Sequence, residues 1–172
     1  MAWRLALAAI LGALLCGCYQ SHQLLLDAKA AVQPVTAGEW RRDKDAVARL
    51  RPRRDGAYDV WFGDDAGQWD GPHALWINRL GEVGGRTLYV MAERDSPDKD
   101  FTYAVAYVAN GEVYEAAPQC DQPAAQAAAK AAGATQDDGK YAPCLFTDRA
   151  ALFQALRTFA VSADFGAPFV RR

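Results

Sequence analysis

The chain of 172 residues has only two histidines, two methionines and four cysteines, and no apolar run long enough to cross a bilayer. A helical span needs about 20 consecutive apolar residues, whereas the stretch from Leu5 to Leu15 has eleven. The scarcity of histidine removes much metal and general-base chemistry. No His-Glu-x-x-His pair, Gly-x-Ser-x-Gly elbow or phosphate-binding glycine loop occurs. A large excess of charge is missing too. Nineteen Lys+Arg against 21 Asp+Glu give a net charge of −2, too mild a balance to imply a nucleic-acid partner. His22 is expected to be solvated, and His73, following Pro72, reads as a surface or hydrogen-bonded residue at a strand start. Asp64, Asp65 and Asp70 crowd one loop without the spacing of a calcium loop, so a solvated turn is the plainer account. No catalytic residue, metal site or cofactor is assigned on these grounds.

What is present begins at the N-terminus. Arg4, the apolar stretch Leu5 to Leu15 and the sequence Leu15-Cys16-Gly17-Cys18 follow the three-part plan of an export signal. Leu15 to Cys18 resembles the lipobox of bacterial lipoproteins, in which a bulky aliphatic residue and two small residues precede a cysteine that is lipidated before cleavage. The resemblance implies removal of residues 1–17 and acyl chains (palmitate or its like) on Cys18, more than enough to hold a protein on a membrane. Cys16 stands where alanine or serine is commoner. Lipidation at Cys16 instead would put Leu15 just before the cut, where a small side chain is wanted. An ordinary cleaved signal with two incidental cysteines is the alternative. Tyr19, in place of the aspartate that favours inner-membrane retention, implies the outer membrane with the body facing the periplasm. The organisation expected is a signal peptide over 1–17, a lipid anchor and tether over 18–37, and one globular domain over 38–172. Without residues 1–17, and so without Arg4, 155 residues remain, with 18 Lys+Arg against 21 Asp+Glu, a net charge of −3.

Cys120 and Cys144 are the cysteines left beyond the signal region. An even pair in an oxidising compartment reads as a disulfide. Two thiols on a metal would need further Cys or His ligands, and none lies nearby.

Within residues 19–37, Leu24 to Leu26 are expected to pack on the domain, and Asp27 to Val32 has room for one or two helical turns before Pro34. From Gly38 to about Pro118 the pattern alternates with the two-residue period of half-buried strands. Tyr58, Val60 and Phe62 oppose Asp59 and Trp61; Leu88, Val90 and Ala92 oppose Tyr89, Met91 and Glu93; Tyr103, Val105 and Tyr107 oppose small residues. Turns are signalled at Asp55-Gly56, Asp70-Gly71-Pro72, Gly84-Gly85 and Asn110-Gly111, the last a strong hairpin signal. Links this short exclude crossover helices and imply antiparallel pairing. Pro123 to Ala132 is helical by propensity. Thr147 is placed at the cap of a second helix whose apolar stripe is Leu152, Phe153, Leu156, Phe159 and Ala160. The fold expected is mainly β (α+β): an antiparallel up-and-down meander or small barrel of about seven strands, with two C-terminal helices packed on it.

Two surface constellations stand out. Between Arg41 and Asp55 seven basic residues face three aspartates, a local balance of +4. On an extended strand Arg49, Arg51 and Arg53 share one face, either as an anion-binding stripe for lipid headgroups or cell-wall acids or as a solvated outer surface. Aromatics are the second: Trp40, Trp61, Tyr103 and Tyr107 either fill a core or line a pocket.

Gly38-Glu39-Trp40 at the start of the first strand resembles the Gly-x-Trp element of lipocalins. That resemblance implies a β-barrel with Trp40 closing one end and a helix after the last strands. Together these readings lead to the expectation of a non-enzymatic, membrane-anchored binding or structural module of the cell envelope. The alternatives are a carrier or sensor of a small apolar ligand in a lipocalin-like pocket, or a lipoprotein inhibitor of a cell-wall-degrading enzyme. A carrier would require an enclosed apolar cavity of roughly 300 Å3 or more.

Overall fold

A computed structural model describes residues 19–43, 46–64, 67–137, 139 and 142–172 of the chain. Seven strands follow one another from residue 38: β2 (Gly38–Asp43), β3 (Ala46–Pro52), β4 (Tyr58–Gly63), β5 (Trp69–Val83), β6 (Arg86–Arg94), β7 (Phe101–Ala109) and β8 (Glu112–Ala116). Each pairs antiparallel with the next. The hairpin turns explain why. Asn110 and Gly111 have φ of 54° and 78°, as do Gly84 and Gly85 at 58° and 76°. Two successive left-handed residues match the twist of the strands that they join.

The sheet is larger than the seven strands expected. Four short strands join it, making eleven among the described residues: β1 (Tyr19–Ser21), β9 (Thr135–Gln136), β10 (Cys144–Leu145) and β11 (Val170–Arg171). Strands of two or three residues carry no readable periodicity, so sequence patterning passes over them. The sheet is open and mixed, because β1 runs parallel to β10, but mostly antiparallel. The turn expected at Asp70-Gly71-Pro72 is also corrected. Strand β5 runs through it, with a register shift against Val60 and Phe62. Gly71 is required there, since a Cβ would come within 2.7 Å of the Val60 carbonyl oxygen.

Helix α1 (Pro123–Ala131) and helix α2 (Arg149–Ser162) follow. Pro123 opens α1, where a missing N–H costs nothing. Asp148, rather than Thr147, caps α2, its carboxylate accepting from Ala151 N at 2.7 Å. The apolar stripe of α2 packs with Ala125, Ala128 and Ala129 of α1 onto Leu80, Leu88, Val90, Ala92, Tyr103 and Val105 of the sheet. Fully burying each large apolar side chain contributes about 1.5–3 kcal/mol. Cys120 and Cys144 form a disulfide that encloses α1. In the chain-entropy model a loop of that size stabilises by about 3.5 kcal/mol.

Residues 19–37, expected as a tether whose leucines pack on the domain, are held against it, with Leu25 and Leu26 buried. Cys18 lies outside the described residues. Tyr19 is fully buried, and its hydroxyl donates to Ala125 O at 2.6 Å. The Tyr103 hydroxyl lies 2.7 Å from Ser21 Oγ and accepts from Leu25 N at 3.0 Å. Asn78 pairs with both the N–H and the carbonyl of Asp27. The expected helical turns shrink to one 3-10 turn over Ala28–Ala30. Beyond it, the Tyr58 hydroxyl donates to Val35 O at 2.6 Å. These buried polar atoms are met by backbone partners, which is what makes their burial tolerable.

Burial raises the pKa values of Tyr58 and Tyr103 above the usual 10.0, against the opposing effect of their hydrogen bonds. Both phenols are neutral in the native fold, so their contribution is complete below the unfolded value and lost as pH climbs through the raised native ones. Stability against urea should fall as pH rises from the unfolded value of about 10 toward the raised native values. The fall should be shallower in the double variant Tyr58→Phe/Tyr103→Phe; an equal slope in both proteins would contradict this.

Candidate functional site

The sheet face turned away from the helices holds the second core. Cross-strand partners project to the same side, so register dictates its rows. Trp40 lies opposite Ala48 and Ala48 opposite Phe62; Leu50 opposite Val60 and Val60 opposite His73; Tyr58 opposite Leu75 and Leu75 opposite Glu93; Ile77 opposite Met91. Ala46, Ala48 and Gly63 are too small to fill the space between the larger side chains. A cavity of about 130 Å3 results, walled mainly by Trp40, Val60, Leu75, Ile77, Met91 and Phe169. Apolar cavities near this size hold a molecule such as benzene. The volume falls short of the roughly 300 Å3 that a drug-sized ligand requires.

Charged groups from three strands reach this largely apolar space: Arg42, Glu93 and Glu115. Arg42 Nη2 lies 3.6 Å from Glu115 Oε2, and the guanidinium sits 4.2 Å from the centre of the Phe169 ring. Burial raises the pKa of Glu115, opposed by Arg42. Glu93 is 8% exposed. Burial first, then the charges of Asp95, Glu115 and Asp70, push its carboxyl up to about 8. At neutral pH Glu93 is mainly a neutral acid, able to donate as well as accept a hydrogen bond. The cavity therefore suits a small apolar group with a polar end.

Of the four aromatics expected at a pocket, Trp40 is in the cavity wall, 4% exposed, with Nε1 donating to Thr36 O at 3.1 Å. The other three are elsewhere. Trp61 projects to the outer face beneath Arg51, 5.1 Å from the guanidinium carbon. Tyr103 belongs to the core under the helices. Tyr107 stacks on Tyr114 at 4.6 Å and meets Phe165 edge-on. Alternation alone could not separate these positions, because both faces of the central strands are buried. Met91 and Glu93 were legible as the face opposite Leu88 and Val90; Phe169, near the C-terminus, had no sequence signal.

Each arginine of the stripe lies against an acid while remaining exposed to solvent. Arg49 Nη2 lies 2.6 Å from Glu39, Arg51 Nη2 2.6 Å from Asp59, and Arg53 Nη2 2.6 Å from Asp55. Cross-strand register supplies the first two acids, which face their arginines directly. His22 is exposed, its Nδ1 2.8 Å from Asp100 Oδ1. Asp64 accepts from Gln68 N, and Asp65 lies outside the described residues. His73, expected as a surface or hydrogen-bonded residue at a strand start, is 6% exposed within β5 and neither ring nitrogen is hydrogen-bonded.

The arginine pairs are solvent-facing, so each single replacement of Arg49, Arg51 or Arg53 by serine should lower stability by no more than about 1 kcal/mol, measured by urea denaturation. A loss well above that from any one would mean that the stripe supports the fold. No family model matches the chain, and comparison with curated proteins and with solved structures found no match.

Proposed function

We propose that this protein is a bacterial envelope lipoprotein, anchored through Cys18, whose β domain binds without turnover a small apolar group bearing a polar end. The observation that carries the binding reading is the 130 Å3 cavity, largely apolar but reached by Arg42, Glu93 and Glu115. Its size favours a fragment, such as a ring or the tip of a larger molecule, over a wholly enclosed carrier cargo.

The anchor reading is supported by the residues Leu15 to Cys18. The Cys120–Cys144 disulfide suits an oxidising space. Tyr19 in place of aspartate favours the outer membrane, with the domain in the periplasm. Because Tyr19 is already part of the sheet, a lipid on Cys18 would leave no spacer, and the start of β1, an interior strand, would be held close to the headgroups. No helix among the described residues is long and apolar enough to cross a membrane. Membrane attachment is assigned to acyl chains on Cys18 on the strength of the Leu15 to Cys18 resemblance alone.

A small-barrel reading of the meander draws on the C-terminal segment. Val113 and Phe169 exchange backbone hydrogen bonds of 3.0 and 2.7 Å, and β11 then pairs with β2. That path runs from β8 to β2 beside the cavity.

The test uses the full chain expressed in a Gram-negative host with radiolabelled palmitate and purified in detergent. Label should enter the wild type and be lost in Cys18→Ser; an unlabelled wild type would refute the anchor. Toluene, benzylamine and benzoate then probe the cavity. At least one should raise the melting temperature of the wild type and not of Ala48→Leu, whose side chain fills the space. At 100 times its Kd a ligand adds about 2.7 kcal/mol. Absence of any shift would refute the binding reading.

A further inference from the structure

A second cluster abuts the cavity and does not depend on what the cavity holds. His73 belongs to β5, Glu93 to β6, and Asp95 immediately follows β6. Ala74 pairs with Arg94 and Leu75 with Glu93, so one further step of this ladder sets His73 opposite Asp95. The His73 side chain is 7% exposed, yet neither ring nitrogen makes a hydrogen bond. Glu93 Oε1 is equally buried and equally without one. Unmet polar atoms in such a place are costly, which calls for a physical reason.

The distances supply one. His73 Nδ1 stands 3.6 Å from Asp95 Oδ1 and 4.0 Å from Glu93 Oε1. Both separations are too long for a good hydrogen bond. Two atoms bound to one tetrahedral zinc ion at roughly 2.0–2.2 Å lie about 3.3–3.6 Å apart, so the Asp95 separation already fits and the Glu93 carboxylate would have to close by a few tenths of an ångström. One ligand atom from each of the three residues lies within 4.8 Å of the others, so a small rotation of one carboxylate would let all three reach a common centre. Across the ring, His73 Nε2 is 3.3 Å from Asp70 Oδ2. A carboxylate behind a ligating imidazole holds the proton on the far nitrogen and aims the near lone pair at the metal. Asp70 is placed to do this.

From this geometry we infer that His73 Nδ1, Glu93 and Asp95 form a binding site for a divalent first-row transition ion, zinc being the first to test, with Asp70 as the residue that positions His73. One imidazole and two carboxylates match the ligand preferences of zinc. Three protein ligands leave a coordination position open. Glu93 also lines the cavity, so that position lies near a group held there. Binding the ion would displace the proton that Glu93 otherwise holds at neutral pH, since a ligating carboxylate is ionised, and would balance the negative charge of Asp70 and Asp95 beside the ring.

The test uses the full chain, stripped with EDTA and dialysed, then titrated with Zn2+ alone against a chromophoric chelator. One equivalent should bind. Asp95→Asn should weaken binding at least tenfold; Asp95 is 56% exposed, so this variant is expected to fold. His73→Ala should abolish stoichiometric binding, and Asp70→Asn should weaken it by about 10–100-fold, the usual effect of losing such a partner. Circular dichroism confirms that each variant is folded, and His22→Ala should leave the affinity unchanged. Co2+ in place of zinc should give a visible absorption spectrum in the wild type that is absent from His73→Ala. The proposal is overturned if the wild type binds no stoichiometric ion. It is equally overturned if folded Asp95→Asn binds as tightly as the wild type, or if His22→Ala is the variant that loses the ion.

Discussion

Strand β6 is buried on both faces, and the register of that strand is the constraint on which the rest of the structure depends. Leu88, Val90 and Ala92 face the helices, while Tyr89, Met91 and Glu93 face the cavity side. Because side chains alternate strictly, a one-residue slip would exchange these sets. A carboxyl would then enter the helix-side core, and the small Ala92 would face the cavity. The Gly84-Gly85 turn, followed by a register shift between Arg79 and Gly81, sets the register of the pairing with β5 on one side. The pairing of Tyr89 to Glu93 with Thr102 to Ala106 fixes it to β7 on the other. Packing and the cavity are thus two consequences of a single alignment.

Buried polar groups are treated in two contrasting ways. Those that bind residues 19–37 to the sheet are satisfied: Tyr58, Asn78 and Tyr103 each meet backbone groups of that segment. Their hydrogen bonds add little net energy each, but losing one partner would leave another stranded in a dry environment. Around His73 and Glu93 the accounting differs, since three carboxylates converge on one imidazole without closing a hydrogen bond. Tyr58 shares its sheet face with His73 and is satisfied, so the contrast is between neighbouring groups of one face rather than between the two faces of the sheet.

The charged surface shows how bases clustered in sequence can be matched by acids from neighbouring strands. Seven bases in fifteen residues looked like an electrostatic landmark, yet the strands on either side deliver Glu39 and Asp59 directly opposite Arg49 and Arg51. The charges are largely spent within the sheet. Function is better sought where the chain leaves groups uncommitted: the small cavity, the acids that border it and the buried imidazole.

Local rules made several features legible from the sequence. Asn110-Gly111 and Gly84-Gly85 announced their hairpins, since few residues other than glycine and asparagine accept a left-handed backbone at little cost. The Tyr58-Val60-Phe62 and Leu88-Val90-Ala92 alternations gave the strands, and the 3.6-residue stripe gave α2. The pairing of Cys120 with Cys144 followed from their number and the inferred compartment. Tertiary structure alone decided the rest. It bound Tyr19 into the sheet, drove β5 through Gly71-Pro72, added strands of two residues and brought Phe169 to the cavity. It also set His73 opposite Asp95 and beside Glu93, twenty residues away in sequence. Such contacts depend on long-range register and on which face a neighbour covers, and no window of sequence short enough to show a period contains both partners.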